Sequence, residues 1–216
     1  KQTRNLVRSR LFSNVFTGIK LSDDSSAAGK WNTNRGGGYF ASGIGGSMTG
    51  FGADCLLLDD PVKDRADAES ELVQNTMWEW YRSTARTRLN PGGAIILIET
   101  RWSEKDLAGR ILETNPDEWT VIKFPAIAEE DEEYRKIGEP LWPEVKVKHI
   151  VEGREEEELF GYSLEALEKL KNELGPYDWS ALYQQTPMDI ASQEFKKQWF
   201  HPITEEDVRR MNTRKV

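Results

Sequence analysis

The chain has 216 residues, 38% of them hydrophobic, and its 29 Lys and Arg stand against 37 Asp and Glu for a net charge of −8. That length allows one large domain, or a domain and a half, with a real core, and 8 Trp, 6 Tyr and 8 Phe exclude a chain that is solvated coil throughout. One cysteine, Cys55, and two histidines, His149 and His201, exclude an internal disulfide, a cysteine-based zinc site and a His-rich metal centre.

Residues 1–16 space Leu6, Val7, Leu11, Phe12 and Val15 as an amphipathic helix, with Arg4, Arg8 and Arg10 between them. The chain does not open on Met, which reads as a piece of something longer, and no apolar segment or cleavage site follows to make a secretory signal. Residues 22–26 read as a polar turn. Residues 36–52 hold 8 of the 17 glycines, too many for the interior of a helix or strand, and predict hairpin and loop. Residues 54–60 predict a short buried strand that runs straight into Asp59, Asp60 and then Pro61. The clearest helix spans 64–89, opening on acidic residues and placing Leu72, Met77, Trp78 and Tyr81 near one stripe. A turn at 90–93, a second buried strand at 94–100, a helix at 104–113 and an alternating third strand at 120–125 follow. Strand and helix in that order predict parallel β-α-β units with right-handed crossovers.

Beyond about Ala128 the sequence turns acidic and irregular, and residues 129–133 and 155–158 read as solvated charge runs on a linker. Ser163 is placed to cap a helix over 163–174, stopped by Gly175-Pro176, and a second short helix covers 178–185 before Pro187. The tail from Gln193 holds Phe195, Trp199 and Phe200 among lysines. The domain reading is an α/β part over 1–127 and a smaller, mostly helical extension over 128–216. The strongest apolar runs are four or five residues long, against about 20 for a membrane span. With no span and no signal the default location is cytoplasmic.

The chemistry concentrates at Leu56–Asp60. A hydrophobic strand that delivers carboxylates at its C-terminal end is how nucleotide-hydrolysing α/β folds hold Mg²⁺, and ligands of open parallel sheets bind at that end. Asp59 is suited to hold the ion through water and Asp60 to polarise an attacking water; the competing reading is a plain loop start, since Asp is favoured before Pro and in turns. The phosphate-binding pattern GxxxxGK[ST] is absent: Gly29-Lys30 is followed by Trp31, and Asp24 stands where the first glycine belongs. At the end of the next strand Thr100 and Arg101 emerge beside the acid pair. Thr100 is suited to sense a nucleotide and Arg101 to contact phosphate; the alternative has Trp102 packing the strand end and Arg101 pairing on the surface with Glu104 or Asp106. A two-metal nuclease is a poorer fit, because Asp59 and Asp60 are adjacent on one strand and the third acid, Asp64, Glu69 or Glu99, is not fixed.

The stretches GGGYFASGIGGSMTGFGADCLLLDDPVKDRADAES, WEWYRST, TRLNPGGAIILIETRWSEKDLAGRIL and LYQQTP resemble the large terminase subunit of tailed bacteriophages and prophages, over residues 11–200 or so. TRW-x-x-x-DLAGR, with the glycine-rich lead-in to DDP, is the most specific part. The resemblance implies an ATP-driven, DNA-packaging motor with an ASCE-type P-loop core built on a mainly parallel sheet. It implies Asp59 as the Mg²⁺-coordinating Walker B acid and Asp60 as its catalytic neighbour, where the family usually has Glu. Thr100 and Arg101 resemble the motif that couples hydrolysis to movement, and Tyr183, Gln184 and Gln185 fall in the segment before the family's endonuclease domain. ATP and Mg²⁺ are the cofactors it implies. Double-stranded DNA, a portal protein, a small terminase subunit and a homo-oligomeric ring are the partners, in the cytoplasm of a bacterial host and without a membrane. Neither a Walker A loop nor the nuclease domain is in the chain, and Phe51 follows Thr49-Gly50 where relatives often carry a basic residue, so the chain alone is expected to hydrolyse ATP poorly or not at all. The rival from another class is a non-catalytic prophage remnant acting as an interaction or structural piece.

Overall fold

The structure, a computed structural model, describes residues 2–46, 50, 52–151 and 154–188. Two short helices, α1 (Gln2–Val7) and α2 (Arg10–Val15), precede strands β1 (Leu21–Ser26), β2 (Lys30–Thr33) and β3 (Gly38–Phe40). Strand β4 (Ala53–Asp59) leads into helices α3 (Arg65–Glu69) and α4 (Glu71–Trp80), a π-helical turn over Tyr81–Ala85 and a 3₁₀ turn over Arg86–Arg88. Strand β5 (Leu89–Ile98), helix α5 (Leu107–Thr114), strands β6 (Val145–Val151) and β7 (Arg154–Phe160), helix α6 (Leu164–Asp178) and a last π-helical turn over Trp179–Tyr183 complete the order. The chain clusters into two compact units: the described residues up to 56 together with 79–95, and 57–78 together with the described residues from 96 on.

In the first unit β1, β2 and β3 form an antiparallel sheet in that order. Trp31 on β2 faces Tyr39 on β3, their rings stacked at 4.9 Å, and Trp31 is buried. The turn between these strands is closed by Thr33 N–H on Gly37 O (2.7 Å) and passes through Gly36 at φ +84, where an L side chain would be strained. The polar stretch 22–26 is a strand, not a turn. As the outer strand of the sheet, with a register shift between Leu21 and Ser26, it can keep Asp and Ser at its edge without burying them. The single helix expected over 1–16 is two, because Ser9 Oγ accepts Phe12 N–H (3.2 Å) and starts α2 afresh.

The helical run 64–89 is likewise divided. Asp64 caps α3 by accepting Asp67 N–H (3.1 Å), and Ser70, extended at φ −78 and ψ 112, separates it from α4. β4 and β5 pair with each other. Gly93, early in β5, lies against the carbonyls of Ala53 and Asp54 at the start of β4, and Asp60 N–H at the far end of β4 donates to Ile98 O (2.9 Å) at the end of β5, so the two run parallel. β5 therefore begins well before the expected strand. The Pro-Gly-Gly stretch read as a turn is part of the strand, since bare Gly93 lets the β4 backbone come close.

The third strand does not form. Residues 120–125 alternate correctly but no backbone ladder receives them, and Val121, Ile122 and Phe124 are exposed. They are pinned instead by the segment after α6: Phe124 N–H donates to Gln185 Oε1 (2.8 Å) and Ala126 N–H to Tyr183 O (2.8 Å). The buried Gln184 accepts Ile127 N–H (3.0 Å) and donates to Ile127 O (2.9 Å) and Glu129 Oε1 (3.0 Å), two amide side chains standing in for a neighbouring strand. Among the described residues the architecture is thus mixed α/β with one parallel pair and two antiparallel sheets, in place of a mainly parallel sheet.

The stretch after Ala128 is not only linker and helix. β6 and β7 form an antiparallel hairpin from Val145↔Phe160 to Val151↔Arg154, and the acidic run 155–158 lies on it. Lys146–Glu157 (3.0 Å) and Lys148–Glu155 (2.9 Å) offset the clustered carboxylates across the strands. Ser163 caps α6 as its sequence predicts, accepting Ala166 N–H (3.2 Å), and Gly175 interrupts the helix at φ 77 and ψ 170. Among the described residues no helix is long and apolar enough to cross a membrane. Phe51 and the aromatic tail from Gln193 lie outside the described residues.

The role of the two glutamines is open to test. Gln184→Ala leaves Ile127 N–H and C=O without partners, and at about 1–3 kcal/mol for an orphaned buried group the variant is expected to lose about 2 kcal/mol of stability. Urea denaturation reads this as a lower midpoint at unchanged slope; a midpoint equal to that of the parent chain would show that 124–129 is held by other means.

Candidate functional site

The candidate site begins where β4 ends. Leu56 and Leu58 are buried while Leu57 and Asp59, on the opposite side of the strand, are exposed, so the packing that anchors the strand also delivers Asp59 to its open face. Asp60 then turns the chain with φ 42, in the left-handed region that L residues rarely adopt, Asp being among the more tolerant. Two bonds hold it there: its N–H donates to Ile98 O (2.9 Å), and its Oδ1 accepts Thr100 N–H (3.2 Å). Asp60 and Thr100, read from the sequence as ends of neighbouring strands, are therefore in contact. The Asp59 side chain has no hydrogen bond or ion pair among the described residues, while its backbone belongs to β4.

Arg101 is engaged by Asp106. Its Nε donates to both oxygens of Asp106, at 3.1 and 2.9 Å, and Asp106 is only 4% exposed, so the pair foreseen for the surface is largely buried. Asp106 is at the same time the cap of α5, its Oδ1 accepting Gly109 N–H at 2.9 Å. Glu99 reaches the same helix end, Oε1 accepting Ala108 N–H at 2.8 Å. Carboxylates here meet unpaired N–H groups and the positive end of the helix dipole.

Asp106, Leu107, Gly109 and Arg110 of the DLAGR stretch each have a physical reason in this corner. Leu107 is buried, and a Cβ at Gly109 would run into the Glu104 carbonyl. Arg110 ties α5 back to Lys105 O (3.1 Å) and across to Asn75 Oδ1 on α4 (3.0 Å). In the sequence Glu99 stands out only as a spare metal ligand and Asp106 only as a surface partner. The cap at least had a signal, an Asp immediately before an apolar helical run.

Glu99 is pushed up from its ordinary 4.5 to about 8, by burial first and by the charge of Asp106 second, against the opposing pull of Ala108 N–H and Arg101. At neutral pH it is mostly protonated. The cluster then holds one ion pair, Arg101–Asp106, and a neutral carboxyl beside it.

The rim carries two adjacent acids, Asp59 and Asp60, both exposed. Mg²⁺ takes one or two carboxylates and keeps several waters, and Asp59 offers an exposed carboxylate with Asp60 adjacent. Among the described residues no three His, Cys, Asp or Glu converge.

The titration of Glu99 has a stability signature. From about pH 5 to about pH 8 the folded protein keeps a proton that the unfolded chain has released, so its stability falls as pH rises through that window. Glu99→Gln retains an acceptor for Ala108 N–H and abolishes the slope. The difference in Tm between the variant and the parent chain is expected to move in favour of the variant as pH is raised from about 5 to about 8; a difference constant with pH would show that Glu99 titrates normally.

A family described as terminase large subunit, T4likevirus-type, N-terminal, matches residues 12–202. No curated protein matches the chain. The matched span takes in the acid rim, the Asp60–Thr100 contact, the α5 corner and the glutamine pair, and with nearly all of its length covered the chain belongs to the T4-like-virus type of terminase large subunits, as an N-terminal region of that family.

Proposed function

We propose that this chain carries the acid rim of an ATP-driven motor that packages phage DNA. What supports the reading most is the bond from Thr100 N–H to Asp60, which ties the carboxylate pair after β4 to the residue that follows β5, in a chain of the terminase large subunit family. Packaging DNA through a subunit of this family requires that a hydrolytic site and a moving element be mechanically joined, and a carboxylate shared between two strand ends is such a joint.

In this reading Asp59 holds Mg²⁺, directly or through water, because it is exposed and uncommitted to other side chains among the described residues. When bound, Mg²⁺ supplies charge neutralisation on the phosphates of ATP. Asp60 has one oxygen engaged by Thr100 N–H, which leaves the other to orient a water and accept its proton. Its shorter reach than Glu is offset by the left-handed turn that carries it past the end of the strand. Thr100 follows any displacement of Asp60 and passes it to residues 101–106, whose far end is locked to α5 by the Arg101–Asp106 pair. Double-stranded DNA is the polymer moved. A portal protein, a small terminase subunit and further copies of the chain in a ring are its partners.

In the assembled packaging motor Asp60→Asn is expected to reduce ATP turnover by about 10²–10⁴-fold, the range for loss of a general base, with ATP affinity unchanged. Asp59→Asn is expected to weaken Mg²⁺-dependent nucleotide binding. Turnover and packaging at the parent rate in Asp60→Asn would overturn the reading.

A further inference from the structure

Arg65, the first residue of α3, joins three stretches of the second unit that are far apart in sequence. Its Nη1 pairs with Glu69 Oε1 (3.1 Å) one turn along α3, and its Nη2 pairs with Asp178 at the end of α6. Its guanidinium carbon lies 5.5 Å from the ring centroid of Trp102 and 5.0 Å from that of Tyr177. The pair with Asp178 is about a third exposed on both sides and by itself would contribute little. A planar cation held by two carboxylates and two aromatic rings together is a different matter, because each partner fixes the orientation the others need. A lysine ammonium, a point charge on a flexible stem, does not reproduce that geometry.

The partners matter for where they sit. Arg65 comes five residues after Asp60, and Trp102 two residues after Thr100. Tyr177 and Asp178 come just after Gly175, the one non-helical point inside α6, and just before the Trp179–Tyr183 turn and the glutamines that pin residues 124–129. One side chain thus ties both segments leaving the acid rim to the chain beyond the Gly175 break.

We propose that Arg65 is a positioning residue that, gripped by Trp102, Tyr177 and Asp178, holds the Asp60–Thr100 contact in register and joins it to the end of α6. The geometric claim stands on the contacts alone; its consequence for turnover rests on the reading given under Proposed function. A shift of Thr100 then either breaks the grip on Arg65 or carries the segment after Gly175 with it, so the rim and the C-terminal segment share one equilibrium.

Amide hydrogen exchange on the full chain tests the grip without nucleotide. Arg65→Lys is expected to raise exchange at Asp60 and Thr100 by about tenfold or more, the effect of losing roughly 1.4 kcal/mol of local protection, with the β2–β3 amides unchanged. Trp102→Phe, which keeps an aromatic face, is expected to retain protection that Trp102→Leu loses. If Arg65→Lys raises exchange everywhere, the Phe and Leu pair at 102 decides: equal exchange in the two overturns the proposal. Unchanged exchange at Asp60 and Thr100 in Arg65→Lys overturns it too. In the assembled motor the same variant is expected to lower kcat by about tenfold with KM for ATP unchanged. Normal turnover in Asp60→Asn would defeat the assigned activity and leave the exchange result standing, so the two failures are distinct.

Discussion

The rim is shaped by one awkward residue and the strand beside it. At φ 42 Asp60 adopts a conformation that costs an L residue about 1–2 kcal/mol. Its two bonds to β5 and Thr100, at about 1 kcal/mol net each, offset that cost. The reversal therefore exists only because β5 ends alongside β4, and the parallel pair and the acid rim are one construction. Backbone conformations of this kind concentrate where a side chain must be held in an uncommon direction. Here the direction is out past the last ladder bond, next to Thr100.

The corner at the start of α5 solves a second problem, that of burying charge. Two carboxyls and one guanidinium share one partly buried corner, Asp106 at its buried end, and an unpaired charge there would be costly. The structure meets this by pairing Asp106 with Arg101, by giving both acids a backbone N–H at the helix end, and by leaving Glu99 its proton. Charge neutrality, helix capping and the close approach at Gly109 are satisfied by the same few residues. That is why an otherwise ordinary helix start has so particular a sequence.

Much of this was legible in the chain itself. The apolar runs of β4 and β5, the acids before Pro61, the cap at Ser163 and the break at Gly175 were all readable, as was the adjacency of Asp60 and Thr100. Where expectation and structure part, a local signal met a competing one. Ser9 and Ser70 divide helices that periodicity alone joins, because a hydroxyl that satisfies backbone N–H groups starts a new helix. Residues 120–125 alternate as a strand should, yet alternation specifies a face and not a partner; Gln185 takes Phe124 N–H, and Gln184 holds Ile127 just beyond.

The sequence by itself determined the buried strand that runs into Asp59, the cap at Ser163, the break at Gly175 and which acids reach the sheet rim, since hydrophobic spacing, capping side chains, Pro and Gly act on neighbours a few residues away. Only the tertiary structure decided that Gln184 bonds Ile127 at 57 residues' separation, that Arg65 meets Asp178 at 113, and that Glu99 keeps its proton. Those outcomes rest on burial and on distances across the fold, and no local pattern of residues encodes either.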